Sequence, residues 1–366
     1  MRIGILANDL ISAEPRGLAR YTEGLVRALS RQPNTRVFLF SRAKPERELS
    51  DIEADWIVWP GQREVLWEQY DLPRQIRRAN IDLLHAPSNR GLPLYAHCPT
   101  VLTRHDEIER LFPPDFPGSA RSRFRMLYSD EISVRRANRI ITPSEFSRQD
   151  VLRKWHLNES RVISCGEGID DRFYCPVSVE EIDRVRKRWA LDCAYILYVG
   201  GFDKRKDVHT LLDAFFLLDS ADHLLVLAGP LRGEGETIRK LANQHPRWKS
   251  VRILGRVTDE DMYPLYAGAD VFVYPSRYEG FGLQVIEAMA SGTPVVVSDG
   301  GSLPEVASDA AIVFSTGHAD DCTRAIADML SGRQDMFRKR GSLRAEGFRW
   351  DSIVTNYLNV YRSLLR

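Results

Sequence analysis

The chain has little from which to build a disulfide framework or a zinc site. Its five cysteines, Cys98, Cys165, Cys175, Cys193 and Cys322, are scattered, odd in number and never spaced as CxxC. A reducing, cytoplasmic setting fits that usage. Charge of one sign is not in excess either: 51 basic residues against 50 acidic ones leave a formal charge of +1, which argues against a protein held to nucleic acid by a large positive field. No long apolar run opens the chain, because MRIGILAND turns polar at Asn8 and Asp9, too soon for a signal-peptide core or a membrane span. Walker-type GxxxxGK, GxSxG and GxGxxG sequences are absent, as are internal repeats, low-complexity tracts and His/Cys clusters of metal-ligand spacing.

What is present is a chain of 366 residues, 43% of them hydrophobic, enough to bury two cores. Short apolar runs recur, each followed by a polar or glycine-bearing loop and an amphipathic stretch, the pattern of parallel strands joined by helical crossovers. A first series lies near Arg2–Ala7, Val37–Phe40, Leu83–Ala86, Thr100–Thr103, Arg139–Thr142 and Val162–Ser164. A second lies near Tyr195–Val199, Leu224–Ala228, Val251–Leu254, Val271–Tyr274, Val295–Ser298 and Ala311–Phe314. Between them GEGIDDRFYCP carries turn residues without periodicity, and a charged helix with Glu180, Glu181, Arg184, Arg186 and Lys187 follows. The expectation is an α/β protein of two open parallel sheets, residues 1–172 and 173–349, with their strand C-terminal ends facing one cleft. The tail FRWDSIVTNYLNVYRSLL sets Trp350, Ile353, Tyr357, Val360, Tyr361 and Leu364 on one helical face. As a docking helix, residues 350–366 either pack on the domain they follow or cross back to the first.

The segment EGFGLQVIE, from Glu279 to Glu287, places two carboxylates around a glycine turn between a strand and a helix. Gly280 and Gly282 let the backbone approach a ligand, and the helix start offers amides and a positive dipole end to a phosphate. Glu287, a turn into the helix, is better suited to accept hydrogen bonds from vicinal hydroxyls. The plainer reading makes Glu279 a solvated loop charge and Glu287 a salt-bridge partner. A second strand-to-helix turn, VGGFDKRKD, holds Gly200 and Gly201 and then Lys204, Arg205 and Lys206. Arg205 can grip two oxygens and Lys206 acts as a point charge, so together the two turns point to a diphosphate.

Other candidates are individually weaker. Gly17, in EPRGLARY, sits at a flexible lip with Arg20 and Tyr21 behind it. His105 and Asp106 follow the strand PTVLTR, where the histidine is either structural, a polar contact to a sugar or an electrostatic stabiliser of positive charge developing at a reacting carbon, with Asp106 orienting it. Asp259 and Asp261 form a DxD, the pattern of a metal-diphosphate site, but Thr258 before them marks the first turn of a helix and no metal is expected. The stretch RSRFRMLYSDEISVRRANRI, with Arg121, Arg123, Arg125, Arg135, Arg136 and Arg139, could rest on an anionic membrane surface. Its competing reading is a partly exposed helix whose basic face Asp130 and Glu131 interrupt.

Taken together, GGFDKRK, EGFGLQVIE, the HD pair and the FRWDSIVTNYLNVY tail resemble the retaining glycosyltransferases of family 4, which have the GT-B fold. The resemblance implies that Gly280, Phe281, Gly282 and Leu283 donate from the backbone to the donor's sugar and phosphates. It implies that Glu287 binds the ribose, Glu279 the donor sugar, and Arg205 and Lys206 the diphosphate, with His105 facing the sugar. Gly17, Gly201 and Val257 flank the donor in this comparison, Val257 with Gly255 and Arg256 near the base. The first lip departs from the family in having Arg16 and Gly17 where a double glycine is common, and Gly201 stands where some members carry arginine. The implied reaction moves a glucose or mannose unit from a UDP- or GDP-sugar, with retention and without metal or cofactor, to a glycan or lipid-linked saccharide acceptor. Alternatives are a nucleotide-sugar epimerase, a sugar phosphorylase or a non-catalytic nucleotide-sugar-binding subunit.

Overall fold

The structure is a computed structural model. It describes residues 1–12, 17–49, 52–60, 64–112, 120–219 and 222–365, excluding the side chains of residues 64 and 120–125. The chain divides into two compact units, one made of Met1–Glu107, Pro117–Asp170 and Arg349–Arg366, the other of Ile108–Phe116 and Asp171–Phe348.

The first unit carries strands β1 (Arg2–Leu6), β2 (Arg36–Ser41), β3 (Asp55–Val58), β4 (Leu83–Ala86), β5 (Thr100–Thr103), β6 (Arg139–Thr142) and β7 (Val162–Ser164) in the order β3-β2-β1-β4-β5-β6-β7. All pairings are parallel, with β1 running from Arg2 opposite Arg36 to Leu6 opposite Phe40. The second unit carries β8 (Ala194–Val199), β9 (His223–Ala228), β10 (Val251–Gly255), β11 (Val271–Tyr274), β12 (Val295–Ser298) and β13 (Ala311–Phe314) in the order β10-β9-β8-β11-β12-β13. These pairings are also parallel.

Both sheets are doubly wound, so the central strands are covered on both faces and read as nearly continuous apolar runs. Tyr195 to Tyr198 and Val271 to Tyr274 are fully buried for that reason. Strand β3 was not expected from the sequence. Asp55–Val58 is a short edge strand, half-buried throughout, whose apolar run Trp56–Val58 is only three residues long. In each sheet the strand order reverses beside the first strand, between β1 and β4 and between β8 and β11. Ligands of such sheets bind outside the strand C-terminal ends at that switch point.

The unit boundaries differ from the expected spans 1–172 and 173–349 in one notable respect. Residues 108–112 join the second unit, where the Phe112 ring lies 5.7 Å from that of Tyr278. The C-terminal helix Trp350–Leu364 belongs to the first unit. Trp350 fills the space that a Cβ on Gly24 or Gly168 would need. Tyr357 accepts a hydrogen bond from Tyr21 (3.1 Å), and the Tyr361 hydroxyl meets His85 Nδ1 (2.7 Å).

The basic stretch needs a correction. Asp130 does not interrupt an exposed basic face: it is fully buried, 3.1 Å from both Arg104 Nη1 and Arg90 Nε. Glu131 pairs with Arg135 on the outside. The side chains of Arg121, Arg123 and Arg125 lie outside the described residues. No helix among the described residues is long and apolar enough to cross a membrane.

Candidate active site

At the switch point of the second sheet, the loop after β8 and the loop after β11 are stitched together. Arg277 donates its backbone amide to the Arg205 carbonyl (2.7 Å), and the Ser276 hydroxyl oxygen lies 3.2 Å from the same carbonyl oxygen. This brings Arg205 and Lys206, on a single helical turn Lys204–Lys206, against Glu279. Arg205 Nη1 lies 3.0 Å and Lys206 Nζ 2.6 Å from Glu279 Oε1, and the Ser276 hydroxyl donates to that same oxygen. Lys206 also bonds the Tyr274 hydroxyl, which donates in turn to Gln284 Oε1 at 3.0 Å.

Burial shapes the protonation of this cluster. For Glu279, burial would raise the carboxyl, but the Lys206 and Arg205 charges outweigh it and hold it below its ordinary range. Burial is the chief cause of a lowered Lys206 ammonium; the Glu279 charge opposes that shift and the Arg205 charge adds to it. Burial beside Glu279 pushes the Tyr198 and Tyr274 hydroxyls well up, so both remain neutral.

The helix Leu283–Ala290 begins directly after this cluster. Its N-cap is Gly282, with φ of 95° and no side-chain cap. Glycine is required there twice over: the conformation is left-handed, and a Cβ would lie 2.7 Å from Leu303 Cδ2. Gly301, also left-handed, presses on the motif from the other side, since its Cβ would meet the Glu279 carbonyl oxygen at 2.5 Å. Ser302 donates to the Phe281 carbonyl (2.9 Å). The Phe281 ring itself is buried, edge-on to Phe348 at 5.6 Å, so its side chain belongs to the core. Glu287 is buried on the same helix and accepts a hydrogen bond from the Tyr266 hydroxyl (2.9 Å).

Arg205, Lys206 and Glu279 are thus in mutual contact, with Gly280 to Leu283 and Glu287 continuing from them. Gly201 follows β8, and its carbonyl accepts from the Tyr198 hydroxyl (2.5 Å). Val257 is buried after β10 in the same unit. Gly17 and His105 are in the first unit. Gly17 opens the helix Gly17–Ser30 with open space where a Cβ would stand, and Arg16 lies outside the described residues. His105 follows β5, and its main charged neighbour is Glu167, 3.7 Å from Nδ1, rather than Asp106. The DxD reading as a helix start holds. Thr258 occupies the N-cap position without a side-chain cap bond, and Asp261 is buried against Arg184 (2.7 Å) and Arg188 (3.1 Å).

Tyr274, Ser276, Tyr266, Gly301 and Glu167 are the residues that sequence reasoning passed over. For Tyr274 and Ser276 a signal existed: hydroxyls at the C-terminal end of a fully apolar strand, just before the glycine turn.

Comparison with known proteins shows the family. The family model described as Glycosyltransferase Family 4 matches residues 15–172, and that described as Glycosyl transferases group 1 matches residues 179–347. The O-antigen chain mannosyltransferase B of Escherichia coli is 35% identical over 272 residues, covering 72% of this chain and 70% of that protein. The chain belongs to glycosyltransferase family 4.

This family 4 glycosyltransferase is also 29% identical over 239 residues to the serotype-specific mannosyltransferase WbdA of Escherichia coli, covering 63% of its own length and 29% of WbdA. A crystal structure of Anabaena Alr3699/HepE in complex with UDP and glucose shares its fold, with a TM-score of 0.78 at 20% identity over the whole of both chains. The fold is GT-B, with two Rossmann-like domains.

Proposed function

We propose that this glycosyltransferase moves a mannose or related hexose from a nucleotide-diphosphate sugar to a saccharide hydroxyl in the synthesis of a surface polysaccharide, with retention at the anomeric carbon. The observation that carries the reading is the convergence of Arg205 and Lys206 on Glu279 Oε1 beside an uncapped helix start. A buried and a partly buried cation held by one carboxylate suit a diphosphate that enters and takes over their charge. The mannosyltransferase relatives support the choice of sugar and pathway.

In this reading the helix amides from Gly282 onward and the two cations stabilise the departing diphosphate. Glu287, oriented by Tyr266, accepts from the ribose hydroxyls. Glu279 keeps its second oxygen, Oε2, for a hydroxyl of the hexose. The bond from the anomeric carbon to the diphosphate oxygen breaks while the acceptor oxygen adds on the same face. The acceptor's proton passes to the released phosphate oxygen, so neither an enzymic base nor a nucleophilic carboxylate is needed. Arg205 and Lys206 supply the positive charge, so the reaction runs without a bound metal. The donor is a UDP- or GDP-sugar, and the acceptor a glycan or lipid-linked saccharide. A cytoplasmic enzyme, in peripheral contact with the membrane through the Arg135 and Arg136 region, would meet such an acceptor.

The test is a thermal-shift panel of UDP, GDP, ADP and their glucose and mannose conjugates, since a ligand selective for the folded state raises Tm in proportion to occupancy. The stabilising donor is then incubated with acceptor and the product anomer read by NMR. No shift with any nucleotide sugar would overturn the donor site, and an inverted product or a glycosylated Glu279 would overturn the same-face path.

A further inference from the structure

We propose that Glu167, held in place by the C-terminal helix, is a positioning residue for the transfer reaction that keeps His105 protonated on both ring nitrogens. This rests on the reading of His105 as a group that faces the donor sugar. The geometry lies wholly within the first unit.

Both nitrogens of His105 face acceptors. Nε2 is 2.9 Å from the Pro87 carbonyl oxygen, and Nδ1 is 3.7 Å from Glu167 Oε2. Nε2 donates to the carbonyl, and the carboxylate, at ion-pair distance from Nδ1, favours a proton there, which makes the ring an imidazolium. Glu167 is itself buried, at 4% exposure, so each charge of the pair needs the other. The edge of the Tyr21 ring packs on the imidazole at 4.6 Å and 89°, fixing its plane.

The loop that carries Glu167 is clamped by the last helix. Asn356 Nδ2 donates to the Cys165 carbonyl (2.9 Å), and Tyr357 donates to the Gly166 carbonyl (2.9 Å). Trp350 leaves no space for a side chain at Gly168. Behind the clamp runs a chain of hydroxyls whose directions can be assigned in sequence. Tyr21 donates to Tyr357, so Thr103, 2.7 Å from the Tyr21 oxygen, donates to Tyr21. Thr103 then accepts from His85 Nε2 at 2.8 Å, and His85 Nδ1 accepts from Tyr361. This needs a neutral His85, and burial pushes its pKa down to about 3.

The titratable groups facing His105 are therefore Glu167, the adjacent Asp106, the neutral Tyr21 and the neutral His85. Burial lowers the His105 pKa, and Glu167 first, with the Pro87 carbonyl and Asp106 after it, more than restores it, leaving it above the usual imidazole range. The pair holds a ring of fixed orientation and carries no net charge.

The experiment follows the imidazole signals of the full-length protein by NMR across pH, with His105→Asn identifying the His105 signal among the eight histidines. In Glu167→Gln the His105 midpoint should fall by at least about one pH unit, a tenfold loss of imidazolium at a given pH in the neutral range. The alkaline limb of kcat should move down with it while KM for the donor stays the same. Glu167→Asp should recover part of the shift, and Asp106→Asn should move the midpoint less than Glu167→Gln. A folded Glu167→Gln with an unmoved midpoint, or a larger effect from Asp106→Asn, would overturn the proposal. Absence of nucleotide-sugar binding in the unaltered protein would strike the proposed function instead, and the NMR titration would still decide the pair.

Discussion

Lys206 and Glu279 meet at 2.6 Å in a site where both side chains are almost wholly buried, and Arg205 reaches the same carboxylate oxygen at 3.0 Å. One carboxylate between two cations leaves the cluster with a net positive charge, which the proposed diphosphate would offset.

Lys206→Ala and Arg205→Ala should each lower kcat/KM by roughly 10²- to 10³-fold, the usual cost of losing one preorganised donor at a charge that develops in the transition state. Arg205→Lys should not rescue, because a point charge cannot replace a fork. Steady-state kinetics with the donor found by thermal shift checks both. Full activity in either single variant would remove the diphosphate assignment.

Glu279→Gln should destabilise the protein near neutrality by about 3 kcal/mol, since it leaves the buried Lys206 and the partly buried Arg205 poorly compensated. The pH dependence has a definite sign. Glu279 has a carboxyl pKa below the ordinary value of 4.5, so its ionised form adds stability above the unfolded value, and that stability is lost as pH falls through the folded one. Urea unfolding of both proteins down an acid series should therefore show the gap closing below the ordinary carboxylate range. A gap independent of pH would mean that the loss is one of packing.

Gly282→Ala should cost about 1–3 kcal/mol from the left-handed backbone, with a further penalty from the contact with Leu303. Differential scanning calorimetry reads the loss. Donor affinity should fall with it, because the first helix amides move.

Tyr266→Phe removes the hydroxyl that orients Glu287 and should weaken nucleotide-sugar binding less than Glu287→Gln does. A hydrogen bond to a charged group is worth about 1.5–3 kcal/mol, an upper guide for the second change. Isothermal titration with the same donor separates the two.

Transfer should persist after treatment with EDTA, since Arg205 and Lys206 carry the positive charge in the proposed mechanism. A rate that collapses with the chelator and returns with a divalent cation would show that these two residues are not sufficient.

Most of the architecture was legible because doubly wound sheets write their central strands as uninterrupted apolar runs. β4, β5, β6, β7, β11, β12 and β13 lie where those runs predict. β3 was passed over, although Trp56, Ile57 and Val58 form a short apolar run; edge position does not explain it, since β7, β10 and β13 are also at edges. In the site, the two glycine turns were visible as local spacing, and Arg205, Lys206 and Glu279 do come together. Pairings between distant segments were not visible. Nothing local in GEGID ties Glu167 to His105, and nothing in DMYPLYAG ties Tyr266 to Glu287; only the sheet order brings these together. Asp130 was misplaced for a related reason, because its partner Arg104 is on another element and pulls it inward.

The helix Trp350–Leu364 closes a unit whose strands are the first to be made, while Asp171–Phe348 holds all the strands of the other. Synthesis and completion therefore run in opposite orders. As the chain leaves the ribosome, the second unit can finish while the first still shows Tyr21 and His85 to water and waits for Tyr357 and Tyr361. A nascent chain halted after Phe348 would carry one folded half and one open one, and the open half would be the natural client of a chaperone.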